Sequence, residues 1–125
     1  MDGGFFMSKV LEIYKEGYNC AESIVKAINE EKKLNIPVSV ASPFGAGMTV
    51  GSTCGAISGA LVVLGAVRGR ETSKEQNDSK GLAKEVMNKI AEKYGTFECK
   101  QLKKQGVSCN EIIEYAYKVV EEYVK

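Results

Sequence analysis

Apolar residues recur at helical spacing along almost the whole chain, and no alternating stretch longer than Val38-Ser39-Val40 suggests a strand. Phe6, Val10, Ile13 and Tyr14 make one apolar face of a first helix, from about Phe6 to Glu16, which Gly17 ends. Asn19 and Glu22 have the spacing of a capping box, in which two side chains satisfy orphan backbone donors reciprocally. A second helix therefore starts at Asn19 and buries Ala21, Ile24, Val25 and Ile28. Its pattern fades from Glu30 to Lys33 and ends before Pro37. Residues Asn35 to Ser52, with Pro37, Pro43, Gly45, Gly47 and Gly51, predict a small-residue connection with room for one short helical turn. Loops of this length in a compact domain are often functional.

A third helix is expected from Ser52 or Thr53 to about Val67. Its run CGAISGALVVLGAV is apolar on all sides, so it must be surrounded by protein. Gly55 and Gly59 lie among alanines there and cost roughly 1 kcal/mol each against alanine, which close packing or room for a ligand would offset. Thr72 and Glu75 repeat the capping-box spacing, predicting a long helix to Tyr94 with Leu82, Ala83, Val86, Met87 and Ile90 inward and Gly95 as its end. Thr96 is expected to cap a short helix through Lys104, which Gly106 breaks. Ser108 and Glu111 open a last helix with Ile112, Ile113, Ala116, Val119, Val120 and Tyr123 inward. The pattern predicts an all-α chain, a single domain over residues 1–125, built as a bundle of five to six helices around a buried Gly/Ala-rich helix.

The composition agrees: 44% of residues are hydrophobic, 26% are charged and two are proline, as in an ordinary globular domain. Seventeen Lys and Arg against sixteen Asp and Glu leave a net charge of +1, with no basic excess to neutralise a row of phosphates. Nucleic acid is therefore not expected as a partner. The longest apolar run falls short of the ~20 residues that span a bilayer, and the first residues do not read as an export signal. A cytoplasmic setting, where thiols stay reduced, is the expectation.

The chain has no histidine, which excludes Ser-His-Asp and Cys-His catalysis and every zinc site that needs imidazole. It has four cysteines, Cys20, Cys54, Cys99 and Cys109. Cys20, Cys54 and Cys109 each follow a good N-cap residue, placing them at the first helical position, and a Thr96 cap would put Cys99 at the third. The free N–H groups and positive dipole end of a helix start favour thiolate, the form that attacks disulfides and binds metals. Glu22, Glu98 and Glu111 oppose ionisation; Lys100, Lys103 and Lys104 favour it near Cys99. Single cysteines at such positions are commonly small buried hydrophobes, but four together point to function. No Cys-x-x-C pair signals thioredoxin-like chemistry or a zinc ribbon. Cys99 and Cys109 are the nearest in sequence. The glycines from Gly45 to Gly51 lack the Lys-Ser/Thr of a phosphate loop but can shape a small-molecule pocket over Cys54. The six tyrosines, among them Tyr14, read as core edges.

The order Gly17-Tyr18-Asn19-Cys20-Ala21, then Gly47-Met48 leading into Cys54-Gly55-Ala56-Ile57-Ser58-Gly59, then Cys99 and Cys109, resembles the C_GCAxxG_C_C family, small bacterial and archaeal proteins described as redox-active. The resemblance implies a redox or metal role for all four cysteines, with Gly55 and Gly59 as motif glycines and candidate cofactor-binding positions.

Three readings follow. In the first, the cysteines exchange electrons as dithiol and disulfide with a redox partner protein or small-molecule thiol and need no cofactor, Cys54 attacking because its glycines permit close approach. In the second, four thiolates hold an iron–sulfur cluster or zinc. In the third, the domain is structural and its cysteines are inert. A homodimer is one way to bury the apolar helix, a monomeric core the other.

Overall fold

Helices form where apolar spacing asks for them, and their ends follow the side chains that can cap them. In the computed structural model, which describes residues 8–124, α1 spans Lys9–Lys15, α2 Cys20–Lys32 and α3 Gly55–Arg68. These are followed by α4 (Ser79–Tyr94), α5 (Cys99–Lys104) and α6 (Cys109–Glu121). The chain forms an all-α single domain. Phe6, expected at the start of the first helix, lies outside the described residues.

The all-round apolar helix is central. α3 packs against α2, α4 and α6, and its Ala56, Ile57, Ala60, Val63 and Leu64 are buried. Ile24 and Ile28 of α2 and Ile113 of α6 are fully buried with it. Each such side chain contributes about 1.5–3 kcal/mol relative to exposure. The glycine at residue 59 has a steric cause: a Cβ there would lie 2.7 Å from the Ala21 carbonyl oxygen and 2.9 Å from its Cα. The backbones of α2 and α3 touch at this crossing, and closeness offsets the conformational cost of glycine.

The stretch between α2 and α3 holds more structure than the single turn expected. A 3-10 segment covers Val38–Phe44, and a π-type turn covers Gly47–Gly51. Asn29 anchors its start, donating from Nδ2 to the Ile36 carbonyl at 2.9 Å and accepting the Ile36 N–H at 3.0 Å. Ala46, Met48 and Thr49 take left-handed φ values of 53°, 59° and 62°, a strained choice for residues with side chains.

The helix expected from Thr72 begins instead at Ser79. The Glu75 carboxylate does accept the N–H groups of Glu71 at 2.7 Å and Thr72 at 3.3 Å, but this closes only an exposed turn. No apolar side chain occurs from Glu71 to Lys80, so a helix there would have nothing to bury. Short helices are marginal without tertiary packing. α4 ends as expected, Gly95 taking φ +75° and donating its N–H to the Ala91 carbonyl at 2.8 Å.

Candidate functional site

Cys20 is the first residue of α2, held by a complete capping box. Asn19 Oδ1 accepts the Glu22 N–H at 2.8 Å, and Glu22 Oε1 accepts the Asn19 N–H at 2.9 Å. Asn19 Nδ2 also donates to the Ser42 carbonyl at 3.1 Å, and Ser42 Oγ donates to Glu22 at 2.6 Å, so the 3-10 segment is tied to this helix start. Cys109 is the first residue of α6, where Ser108 Oγ accepts the Glu111 N–H at 3.1 Å. The second half of that box is diverted: Glu111 Oε2 accepts the Tyr94 hydroxyl at 3.1 Å instead.

Cys54 and Cys99 are placed by a backbone device that helical periodicity does not reveal. Thr53 pairs with Glu98 in an isolated antiparallel bridge. The Cys54 N–H donates to the Phe97 carbonyl at 2.8 Å and the Cys99 N–H to the Ser52 carbonyl at 2.7 Å. Residues flanking such a bridge share one face, so the two cysteines are diagonal neighbours on the same side. Against expectation, Cys54 is the N-cap of α3 and not its first residue, because Thr53 is held in the bridge and the Ser52 carbonyl accepts the Cys99 N–H. Cys99 is the first residue of α5 and not its third, because Glu98 is the N-cap while Thr96 Oγ1 accepts the Glu98 N–H at 3.2 Å.

All four thiols line one cavity of about 230 Å³. Tyr14, Ala46, Gly55 and Lys103 contribute to its wall. A smaller void of about 20 Å³ is bordered by Cys54, Cys99 and Cys109, again with Lys103. Gly55 lines the cavity, and a Cβ there would collide with Cys20 Sγ. Gly59 does not line it and serves the crossing of α2 with α3. Ala46, from the glycine-rich connection, closes one side.

Helix-start electrostatics do not govern every thiol. Cys54 is only 5% exposed, and burial pushes its thiol up to about 11. The Ala56 amide pulls against that rise, and the neighbouring Cys20 adds to it. Cys20 is also raised, chiefly by burial, with the Ala46 amide opposing. The left-handed turn at Ala46 thus aims a backbone donor at a thiol. For these two cysteines the expected easy ionisation gives way to desolvation.

Tyr14, read from sequence as a core edge, lies against Cys109 in the cavity wall. Burial first, then Cys109, pushes its phenol up to about 12, so it remains a proton donor at neutral pH. No sequence signal marks this role, which depends on α1 packing against α6. Lys103 was legible as one of three lysines near Cys99. It stands four residues after Cys99, on the same face of α5.

The four cysteines are free thiols. Among the described residues, no three cysteine or carboxylate side chains stand close enough to hold a single metal ion. No helix of the described residues is long and apolar enough to cross a membrane.

No curated protein and no solved structure matches the chain. The family described as "Putative redox-active protein (C_GCAxxG_C_C)" matches residues 18–123. That span takes in all four cysteines and both motif glycines, leaving only Tyr14 of the cavity residues named above outside it. With this match over most of its length, the chain belongs to the C_GCAxxG_C_C family.

Proposed function

We propose that the protein is a thiol redox protein whose cysteines cycle between dithiol and disulfide inside the shared cavity. The observation that carries this reading is convergence: cysteines at positions 20, 54, 99 and 109 reach one cavity from four different helix starts. Cysteines used only as small hydrophobes need no common destination. Thiolate is the attacking form, and a thiol held up to about 11 is almost wholly protonated at neutral pH. Cys54, the attacker expected from sequence, is thus better suited to resolve. The half-buried Cys99 and Cys109 are better placed to attack. In one cycle an attacking thiolate breaks the disulfide of an oxidised partner and forms a mixed disulfide. A second cysteine then displaces the partner's remaining thiol and leaves a protein disulfide.

The test is the intact mass of anaerobically prepared protein, before and after oxidation and again after reduction. A loss of about 2 Da per disulfide that reductant restores is expected. A mass unchanged by oxidant sinks the reading. A second reading draws on the same convergence, since four soft thiol donors around one cavity are the donor set of an iron–sulfur cluster. A heavier native species that releases iron and sulfide on denaturation would establish it.

A further inference from the structure

Resting on the thiol-exchange reading, we propose that the cavity takes a small anionic disulfide as its oxidant, with Lys103 as the side chain that selects for its charge. Lys103 lines both the main cavity and the smaller void between the thiols. Among the described residues, no carboxylate lines either space. Some lysines elsewhere are held in ion pairs, as Lys9 and Lys26 are with Glu30 and Lys89 is with Glu122. Lys103 has no such pair among the described residues. The acids near the cysteines are turned elsewhere. Glu22 is bound to Ser42 and to the Asn19 N–H, and Glu111 accepts from Tyr94. Glu98 alternates to the face of the bridge opposite Cys99. Among the described residues, the cavity therefore carries one positive charge, that of Lys103, with no carboxylate beside it.

Size restricts the substrate further. At about 230 Å³ the cavity is smaller than the ~300–1,000 Å³ of pockets that enclose drug-sized ligands. A disulfide within a folded protein brings its chain with it, whereas the half-buried Cys99 and Cys109 face a cavity of this small size, which suits a compact group. A compact disulfide with carboxylate arms satisfies both conditions.

The thiolate of Cys99 or Cys109 attacks one substrate sulfur, the substrate S–S bond breaks, and the departing thiolate takes up a proton. A second cysteine thiol, losing its proton, attacks the mixed disulfide and releases the other half as a second thiol. Two electrons and two protons pass from the protein dithiol to two small thiols, and a protein disulfide remains.

The experiment follows the oxidation of the reduced protein by dithiodiglycolate, 2-hydroxyethyl disulfide and cystamine, which carry two negative charges, none and two positive charges. Each rate is divided by that of a neutral small thiol with the same disulfide, which removes intrinsic leaving-group differences. The dianion is expected to react at least roughly tenfold faster than the dication at low salt, the gap narrowing at high salt. Lys103→Glu should reverse the order and Lys103→Gln should flatten it; Lys103 is exposed, and circular dichroism verifies that both variants fold. Equal normalised rates, or an order untouched by either variant, overturn the charge selection and leave thiol exchange standing. Failure of all three disulfides to oxidise the protein overturns both.

Discussion

The Sγ of Cys20 lies where a Cβ on Gly55 would have to be, so the first residue of α3 lacks a side chain in favour of a thiol from α2. Gly55→Ala must therefore push Cys20 aside, with the Phe44 carbonyl oxygen, 2.7 Å from the added methyl, blocking another retreat. Overpacking of this kind costs about 1–3 kcal/mol. Gly65, in the same helix, has nothing within 4 Å of an added Cβ, and Gly65→Ala should stabilise by about 0.5–1 kcal/mol. Urea denaturation of the two variants should give opposite signs, and Gly55→Ala alone should change the alkylation rate of Cys20.

The Cys54 thiol, raised from 9.0 to about 11, holds in the folded protein a proton that the unfolded chain releases within that interval. The folded state binds more protons there, so stability falls as pH rises from about 9 to 11. Denaturation midpoints of wild type and Cys54→Ala, measured across that range, should show a steeper decline for wild type. Parallel curves would show that burial does not hold the proton.

Two identical spacings should have unequal weight. Asn19→Ala removes a completed capping box and the tie to Ser42, and should cost about 0.5–2 kcal/mol. Glu75→Ala opens an exposed turn that supports no helix and should change stability by less than about 0.5 kcal/mol. Thermal melts of both variants decide it, equal losses being the contrary result.

Tyr94 joins α4 to α6 through its hydroxyl on Glu111 and its ring on Tyr115, edge to face at 5.7 Å between centroids. Tyr94→Phe keeps the ring contact and frees Glu111 to complete the cap at Ser108, so a loss below about 1 kcal/mol is expected. Tyr94→Leu also forfeits the aromatic edge and should cost a further 0.5–1.5 kcal/mol or so. Melting temperatures in the order wild type, Phe, Leu would bear this out; a Phe variant as unstable as Leu would not.

Sequence makes α2 legible because its signals are local and agree: the Asn19 and Glu22 cap sits directly before an apolar face of Ile24, Val25 and Ile28. The same cap spacing at Thr72 misleads because the residues after it bury nothing. The site divides along a similar line. That four helix starts carry cysteines is visible in one dimension, as is Lys103 one turn beyond Cys99. That Cys54 and Cys99 are neighbours is not visible, because they are joined by backbone groups of segments far apart in the chain, at residues otherwise without strand pattern. Tyr14 is missed for the same reason: its neighbour Cys109 comes from the far end of the chain.

The wide spacing of the four thiols also gives the protein a history during its own synthesis. Cys20 and Cys54 leave the ribosome long before Cys109 exists, so a growing chain carries thiols without the cavity that orders them. At synthesis rates of roughly 5–20 residues per second, that interval lasts seconds. Only when α6 closes over α1 and α3 do the four acquire a common address, so the chemistry proposed here begins as a reward for finished folding.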